Sequence, residues 1–112
     1  MEFKKQNAIY HQIAELLCDR IMAGEWAEED RIASIREVAA QLGVNPNTVM
    51  RTYDYLQQNN IVYNQRGVGY FVSAGAKKTI LQMRRKEFVE EVWPVVRQRI
   101  EDLGLDINEL MS

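Results

Sequence analysis

Apolar residues recur at spacings of three and four near the start of the chain, at Ile9, Ile13, Leu16, Leu17 and Ile21. That period is the stripe of an amphipathic helix. Asn7 is placed to cap its start, and Gly24 to let the chain leave it. The period is lost across EWAEEDRIA, residues 25–33, which reads as a connector pinned to the core by Trp26. A helical pattern returns at Ser34. The run Ser34-Ile35-Arg36-Glu37 has the form of a capping box, in which Ser34 accepts from the Glu37 N–H and the Glu37 carboxylate reaches back. Val38, Ala39 and Leu42 give this second helix a short apolar face, and Gly43 ends it.

A third helix starts only three residues later. Asn45 suits the N-cap, and Pro46 suits the first helical position, where no N–H is needed. Val49, Tyr53 and Leu56, with Thr52 alongside, form its inward side. Asn47, Thr48, Met50 and Arg51 are left facing outward on its first turns. Two short helices joined by a glycine-containing turn form a helix-turn-helix, whose second helix fits a DNA major groove.

Beyond Asn59 and Asn60, which suit a left-handed helix end, the period changes to that of strands. IVYNQRGVGYFV, residues 61–72, contains two β-rich runs, 61–65 and 68–72, around Arg66-Gly67. The fold class expected is mainly α with a small β-hairpin: a winged helix-turn-helix over residues 1–75, followed by C-terminal dimerisation helices over 76–112. Arg66 lies at the hairpin tip, where a wing meets the DNA backbone or minor groove. Gly67 and Gly69 allow a tight turn and close approach to phosphates.

In the tail, Val89, Trp93, Val96, Ile100 and Leu103 repeat at four-three-four-three, with Phe88, Val92 and Val95 in an adjacent row. The pattern predicts a helix over about 78–102, kinked or restarted near Trp93 by Pro94. Asp106 and Glu109 suggest a further cap before INELM. A winged helix of this size has limited surface to cover so broad a stripe, and leaving it bare creates a large sticky patch. The stripe therefore predicts that the tail joins two copies, through Phe88, Val89, Val92, Trp93, Val96, Ile100 and Leu103. A homodimer supplies two recognition helices, matching half-sites about one helical turn apart, ~34 Å, or a multiple of that.

Charge sharpens the picture. The net charge of −2 hides a division along the chain: three basic against seven acidic side chains over 1–30, nine against two over 31–86, and two against seven over 87–112. A basic middle between acidic flanks is a local footprint for a polyanion. Lys77, Lys78, Arg84, Arg85 and Lys86 either lie along DNA or form a solvated helix face. Arg36 stands in the first turn of its helix, where the dipole disfavours a cation, so a phosphate or guanine contact accounts for it better than stability does.

The order of SIRE, GVNPNTVMRTY and RGVGYFV resembles the DNA-binding domain of GntR-family bacterial transcription regulators over about residues 8–75. The short helical tail is similar to that of the YtrA-like subgroup, whose members lack a large effector domain. The resemblance implies a dimeric repressor that binds a palindromic operator and occludes a promoter. It implies operator contacts from Arg36, Asn47, Thr48, Arg51, Arg66 and Gly67, and the cap residues Ser34 and Asn45 complete the DNA-facing set. Ala33 stands where such sequences usually carry proline, and Glu29 and Asn60 where they carry glycine. Looser turns are expected there; Asn60 reaches positive φ, Glu29 less readily.

Other classes are weighed against this one. No run approaches ~18 apolar residues, so no membrane span is expected, and MEFKKQNAIYHQ lacks a signal peptide's apolar stretch. The single cysteine, Cys18, falls in an apolar pattern and is expected in a core; a reducing cytoplasmic setting fits. The lone His11 is expected on the surface of the first helix, and no metal site, cofactor or catalytic residue is expected. RNA binding is disfavoured because the hairpin lacks the exposed aromatic platform expected for stacked bases, although Tyr63 and Tyr70 could stack. The chief alternative is a winged-helix protein–protein interaction module without DNA binding. The operator sequence and any effector ligand are not legible.

Overall fold

The computed structural model describes residues 8–112. Three helices come first: α1 (Ile9–Met22), α2 (Ile35–Leu42) and α3 (Pro46–Gln58). A hairpin of β1 (Val62–Gln65) and β2 (Gly69–Val72) follows, and then a tail of α4 (Ala76–Glu87), α5 (Trp93–Asp102) and α6 (Ile107–Met111). The architecture is mainly helical with one antiparallel hairpin and a helical C-terminal tail.

The core is built where the apolar faces of α1, α2 and α3 meet. Ile13, Ala14, Leu17, Cys18 and Ile21 of α1 are buried with Val38 and Ala39 of α2 and Val49, Tyr53 and Leu56 of α3. The stripe on α1 is narrower than its spacing suggests, for Ile9 (54% exposed) and Leu16 lie at its outer edges. His11 is not a surface residue: it is 5% exposed. Its spacing explains this, since residues 11, 14 and 18 share one helix face. The His11 ring lies tilted against Tyr55, with centroids 5.1 Å apart. Ala8 is the N-cap of α1 and offers no side-chain bond; the cap expected at Asn7 lies outside the described residues. Cys18 is buried, and desolvation pushes its thiol up to about 12, as expected of an inert core residue.

The connector is more ordered than its lack of period implied. Arg31 bridges Phe71, the Ile32 N–H donates to the Tyr70 carbonyl (2.9 Å), and the Val72 N–H donates to the Asp30 carbonyl (2.9 Å). A short third edge thus lies beside β2, on the side away from β1. Only Ile32 of this stretch is buried, too little to show a strand's alternation. Trp26 packs on the core, with the Arg20 guanidinium 5.9 Å from its ring centre. In the hairpin, Val62 pairs with Val72 and Gln65 with Gly69; both valines are buried, which anchors the wing's base.

Glu29 and Asn60 both keep a left-handed backbone, at φ 70° and 61°. Asn60 tolerates this through its short polar side chain. Glu29 is held there because its N–H donates to the Val72 carbonyl at 2.8 Å, one end of the short third edge. Its carboxylate accepts only a long 3.4 Å bond from the Tyr63 hydroxyl. Glu29→Gly removes the Cβ penalty, and the extra freedom of the unfolded chain offsets part of the gain. We expect a net stabilisation of about 0.5–1 kcal/mol, read as a melting temperature higher by roughly 2–6 °C. An unchanged or lower melting temperature would refute the assignment of strain.

The tail begins as part of the body. Ala76 and Ile80 of α4 are buried in the same cluster as α1. Arg84 donates to Asp19 at 2.8 Å and Glu15 at 3.1 Å, both on α1. One of the five basic residues of this segment is therefore engaged within the chain. The helix expected over 78–102 restarts at Trp93, as Pro94 predicts: α4 and α5 are joined by a π-helical turn, Phe88–Val92, in which the Trp93 N–H donates to the Phe88 carbonyl. Pro94, second residue of α5, supplies the cause: it has no N–H to donate, and its ring crowds the preceding turn. Asp106 caps α6 by accepting from the Asn108 N–H at 2.8 Å. No residue from 88 onward is buried. The molecule is accordingly elongated, 57 × 28 × 21 Å, with a radius of gyration of 17.0 Å; a compact chain of this length has about 13 Å.

Candidate nucleic-acid interface

Two caps aim the helix-turn-helix. The Glu37 N–H donates to Ser34 Oγ (3.1 Å) and the Ser34 N–H to Glu37 Oε1 (2.9 Å), the reciprocal pair that SIRE predicts. Those bonds hold the Glu37 carboxyl below its ordinary range. Gly43 leaves α2 at φ 66°, and the Asn47 N–H donates to Asn45 Oδ1 at 2.7 Å to open α3. The side-chain oxygens of Ser34 and Asn45 are thus committed to backbone N–H groups. The amide NH2 of Asn45 is left over for another partner, whereas the Ser34 hydroxyl also serves the Glu37 carboxylate.

The back of α3 is fixed by its core contacts. Val49, Thr52, Tyr53 and Leu56 are fully buried. Thr52 Oγ1 donates to the Tyr10 carbonyl at 2.7 Å, which ties α3 to the start of α1. The Tyr53 hydroxyl donates to the Ala33 carbonyl, and its ring meets Tyr70 edge-on, 4.8 Å between centroids. Desolvation raises the pKa of that hydroxyl, which keeps it a donor. On the opposite face Asn47, Met50 and Arg51 are exposed, and Thr48 is half-buried.

The wing carries the second part of the site. Its tip is a four-residue turn closed by the Val68 N–H on the Gln65 carbonyl (2.9 Å), with Gly67 at φ 79° in the third position. That conformation calls for glycine. Arg66 and Gly67 stand exposed at this tip. Behind it, a groove of about 260 Å³ is lined by Arg31, Ser34, Arg36, Val68, Gly69 and Tyr70. The start of α2 and the wing are therefore neighbours. A second cleft, of about 330 Å³, is lined by Tyr10, Asn47, Thr48 and Arg51 together with Ala8 and Ile9. Of the sequence-predicted residues, Ser34 and Arg36 line the groove, Asn47, Thr48 and Arg51 line the cleft, Arg66 and Gly67 form the wing tip, and Asn45 lines neither cavity but caps α3.

Two residues of the surface went unnoticed in the sequence. Tyr10 lies under Arg51, whose guanidinium carbon is 4.3 Å from the ring centre. Arg31 packs so closely on the wing that a Cβ at Gly69 would come within 2.8 Å of its Nε. Neither sits in a motif; each is placed by a contact 38 or more residues away along the chain.

Arg31, Arg36, Arg51 and Arg66 have no carboxylate at ion-pair distance among the described residues, whereas Arg84 and Arg97 do. The cations on this surface are thus left available to an anion. Among the described residues, no group of three or more His, Cys, Asp or Glu could hold a metal ion, and no helix is long and apolar enough to cross a membrane.

The tail presents the opposite character. An apolar groove of about 250 Å³ is lined by Val92, Val95, Val96, Ile100, Leu103 and Leu105, with Arg99 at its edge. Of the residues expected at a dimer seam, Phe88, Val89 (62%), Val96 and Leu103 (64%) are exposed, and Val92, Trp93 and Ile100 are half-buried.

Residues 9–72 match the model of the gntR family of bacterial regulatory proteins. The chain is 33% identical over 111 residues to the HTH-type transcriptional regulator YhcF of Bacillus subtilis, covering 99% of this chain and 90% of that one. It is 29% identical to the HTH-type transcriptional repressor YtrA of the same organism, over 94% of this chain and 75% of that one. Among solved structures, a GntR-family transcriptional regulator from Bacteroides thetaiotaomicron superposes with a TM-score of 0.80 at 44% identity, covering 93% and 90% of the two chains. The DNA-binding domain of AraR, in complex with its operator ORR3, superposes with a TM-score of 0.56 at 26% identity, over 57% of this chain and 77% of that one.

Proposed function

The chain belongs to the gntR family of bacterial regulatory proteins, and from that premise we propose that it is a homodimeric repressor, working in the cytoplasm, that binds a palindromic operator. Winged-helix DNA-binding transcription regulators are what its relatives are; the repressor role extends to this chain what the name of YtrA says of that protein. The observation that carries the reading is the two-sided build of α3. Its back is fully buried, and its first turns offer Asn47, Thr48 and Arg51 beside arginines that have no acidic partner among the described residues.

In this reading residues 1–75 hold the DNA and 76–112 hold the second copy. Arg36, Arg51 and Arg66 neutralise phosphates or bind guanine, Asn47 and Thr48 read base edges, and Ser34 and Asn45 meet the backbone at the helix caps. Gly67 lets the wing tip approach the sugar-phosphate chain closely. Occupancy of a promoter by the dimer excludes the transcription machinery.

The test is a titration of duplex DNA recovered by selection from a random pool. Arg36→Ala and Arg51→Ala are each expected to weaken binding by about 1–3 kcal/mol, roughly 5- to 150-fold. The affinity of the unaltered protein is expected to fall with salt at a log–log slope of about −0.9 per phosphate contact. Two arginine variants that bind as well as the parent would overturn the site assignment, a salt-independent affinity would overturn the phosphate-binding model, and no affinity for any duplex would favour a protein–protein module.

A further inference from the structure

We propose that Tyr10 is a specificity-determining positioning residue: its ring is the platform that holds the Arg51 guanidinium in its base-reading orientation. The inference rests on the assignment of Arg51 to the DNA interface made above. The first observation is the stack itself, with the guanidinium carbon 4.3 Å from the ring centre. An arginine of this kind otherwise has several rotatable bonds to order when it meets a base edge, and ordering such a side chain opposes binding. A guanidinium already held over an aromatic face has lost much of that freedom beforehand, and its N–H donors remain available to a bidentate acceptor such as a guanine edge.

The second observation is that the platform is braced. Thr52 Oγ1 donates to the Tyr10 carbonyl at 2.7 Å, so the backbone under the ring is tied to the helix that carries Arg51. The Tyr10 ring meets Tyr55 edge-on at 6.1 Å, which limits its rotation. Tyr55 in turn lies on the buried His11 ring. The third observation is location: Tyr10 and Arg51 share the walls of the cleft that also holds Asn47 and Thr48. A base edge entering that cleft meets the reading residues and their support together.

The experiment is a double-mutant cycle on the full chain, read by operator affinity and by base preference. Tyr10→Leu removes the aromatic face, Tyr10→Phe keeps it, and each is made alone and with Arg51→Ala. Tyr10→Leu is expected to weaken operator binding by about threefold to thirtyfold. It is also expected to relax base preference at the same operator position that Arg51→Ala relaxes. Tyr10→Phe is expected to bind within about twofold of the parent, because the support comes from the ring. In the Arg51→Ala background, Tyr10→Leu is expected to have no further effect.

Thermal unfolding of each variant separates this role from a packing role. An equal loss of affinity from Tyr10→Leu with and without Arg51 would overturn the inference, as would an unchanged base preference. Should Arg51→Ala itself leave affinity intact, the failure lies with the interface assignment rather than with the platform.

Discussion

Aspartate at Val96 and Leu103 together is expected to convert the proposed dimer to monomers and to lower operator affinity by about 10²- to 10⁴-fold. Both side chains are exposed on the single chain, and both line the apolar groove of the tail. Within one copy the substitutions put carboxylates into water, so the winged-helix body should unfold at an unchanged temperature. In a seam between copies they place desolvated charges against an apolar face, which is strongly unfavourable. The DNA consequence follows from linkage. Once one half of a dimer is bound, the other half meets its half-site at an effective concentration near millimolar, an advantage a monomer lacks. Sedimentation across a dilution series and titration of full and half operators measure the two parts. A variant that still sediments as a dimer, or that keeps full-operator affinity, contradicts the role given to the tail. Affinity for an isolated half-site should scarcely change, which separates loss of pairing from damage to the reading surface.

The second large effect is in the core. Tyr53→Ala is expected to destabilise the fold by about 3–5 kcal/mol, out of a total near 5–15 kcal/mol for such a domain. Tyr53 is fully buried. Its ring is the edge-on partner of Tyr70 in the wing, and its hydroxyl holds the Ala33 carbonyl just before the α2 cap. Truncation thus opens a cavity where α3, the wing and the connector converge, and it frees a carbonyl from its donor. Tyr53→Phe keeps the ring and is expected to cost about 0.5–1.5 kcal/mol. Urea unfolding followed by Trp26 and Trp93 fluorescence measures both. A loss under 1 kcal/mol for the alanine variant would show that the three elements do not depend on this side chain.

Much of this architecture is local and was therefore legible. The caps at Ser34 and Asn45, the glycine exit at Gly43 and the hairpin around Arg66-Gly67 each follow from residues within four positions of one another. Such short-range chemistry is readable in a string of letters. What escaped depends on distant partners. His11 looked polar and external, yet it lies in register with Ala14 and Cys18 and is covered by Tyr55 of α3. The strand character of residues 30–32 exists only because β2 supplies carbonyls and N–H groups. Tyr10 gains its place from Arg51 and Thr52, and Arg84 from Glu15 and Asp19. The apolar stripe of the tail was readable as a pattern, but the pattern did not show that its first turns, with Ala76 and Ile80, belong to the body's own core.

The widened turn at Phe88–Val92 has a geometric consequence. One extra residue accommodated in a helix rotates everything downstream by about 100°. The turn therefore sets the azimuth of the apolar face of α5 relative to the face of α4 that sits against α1. The stem is bolted to its own body through Ala76 and Ile80, and the turn decides the direction in which the end of the lever offers its sticky side. Deleting a single residue from that turn would swing the apolar face around the axis, and in the proposed dimer the orientation of one reading head relative to the other would swing with it.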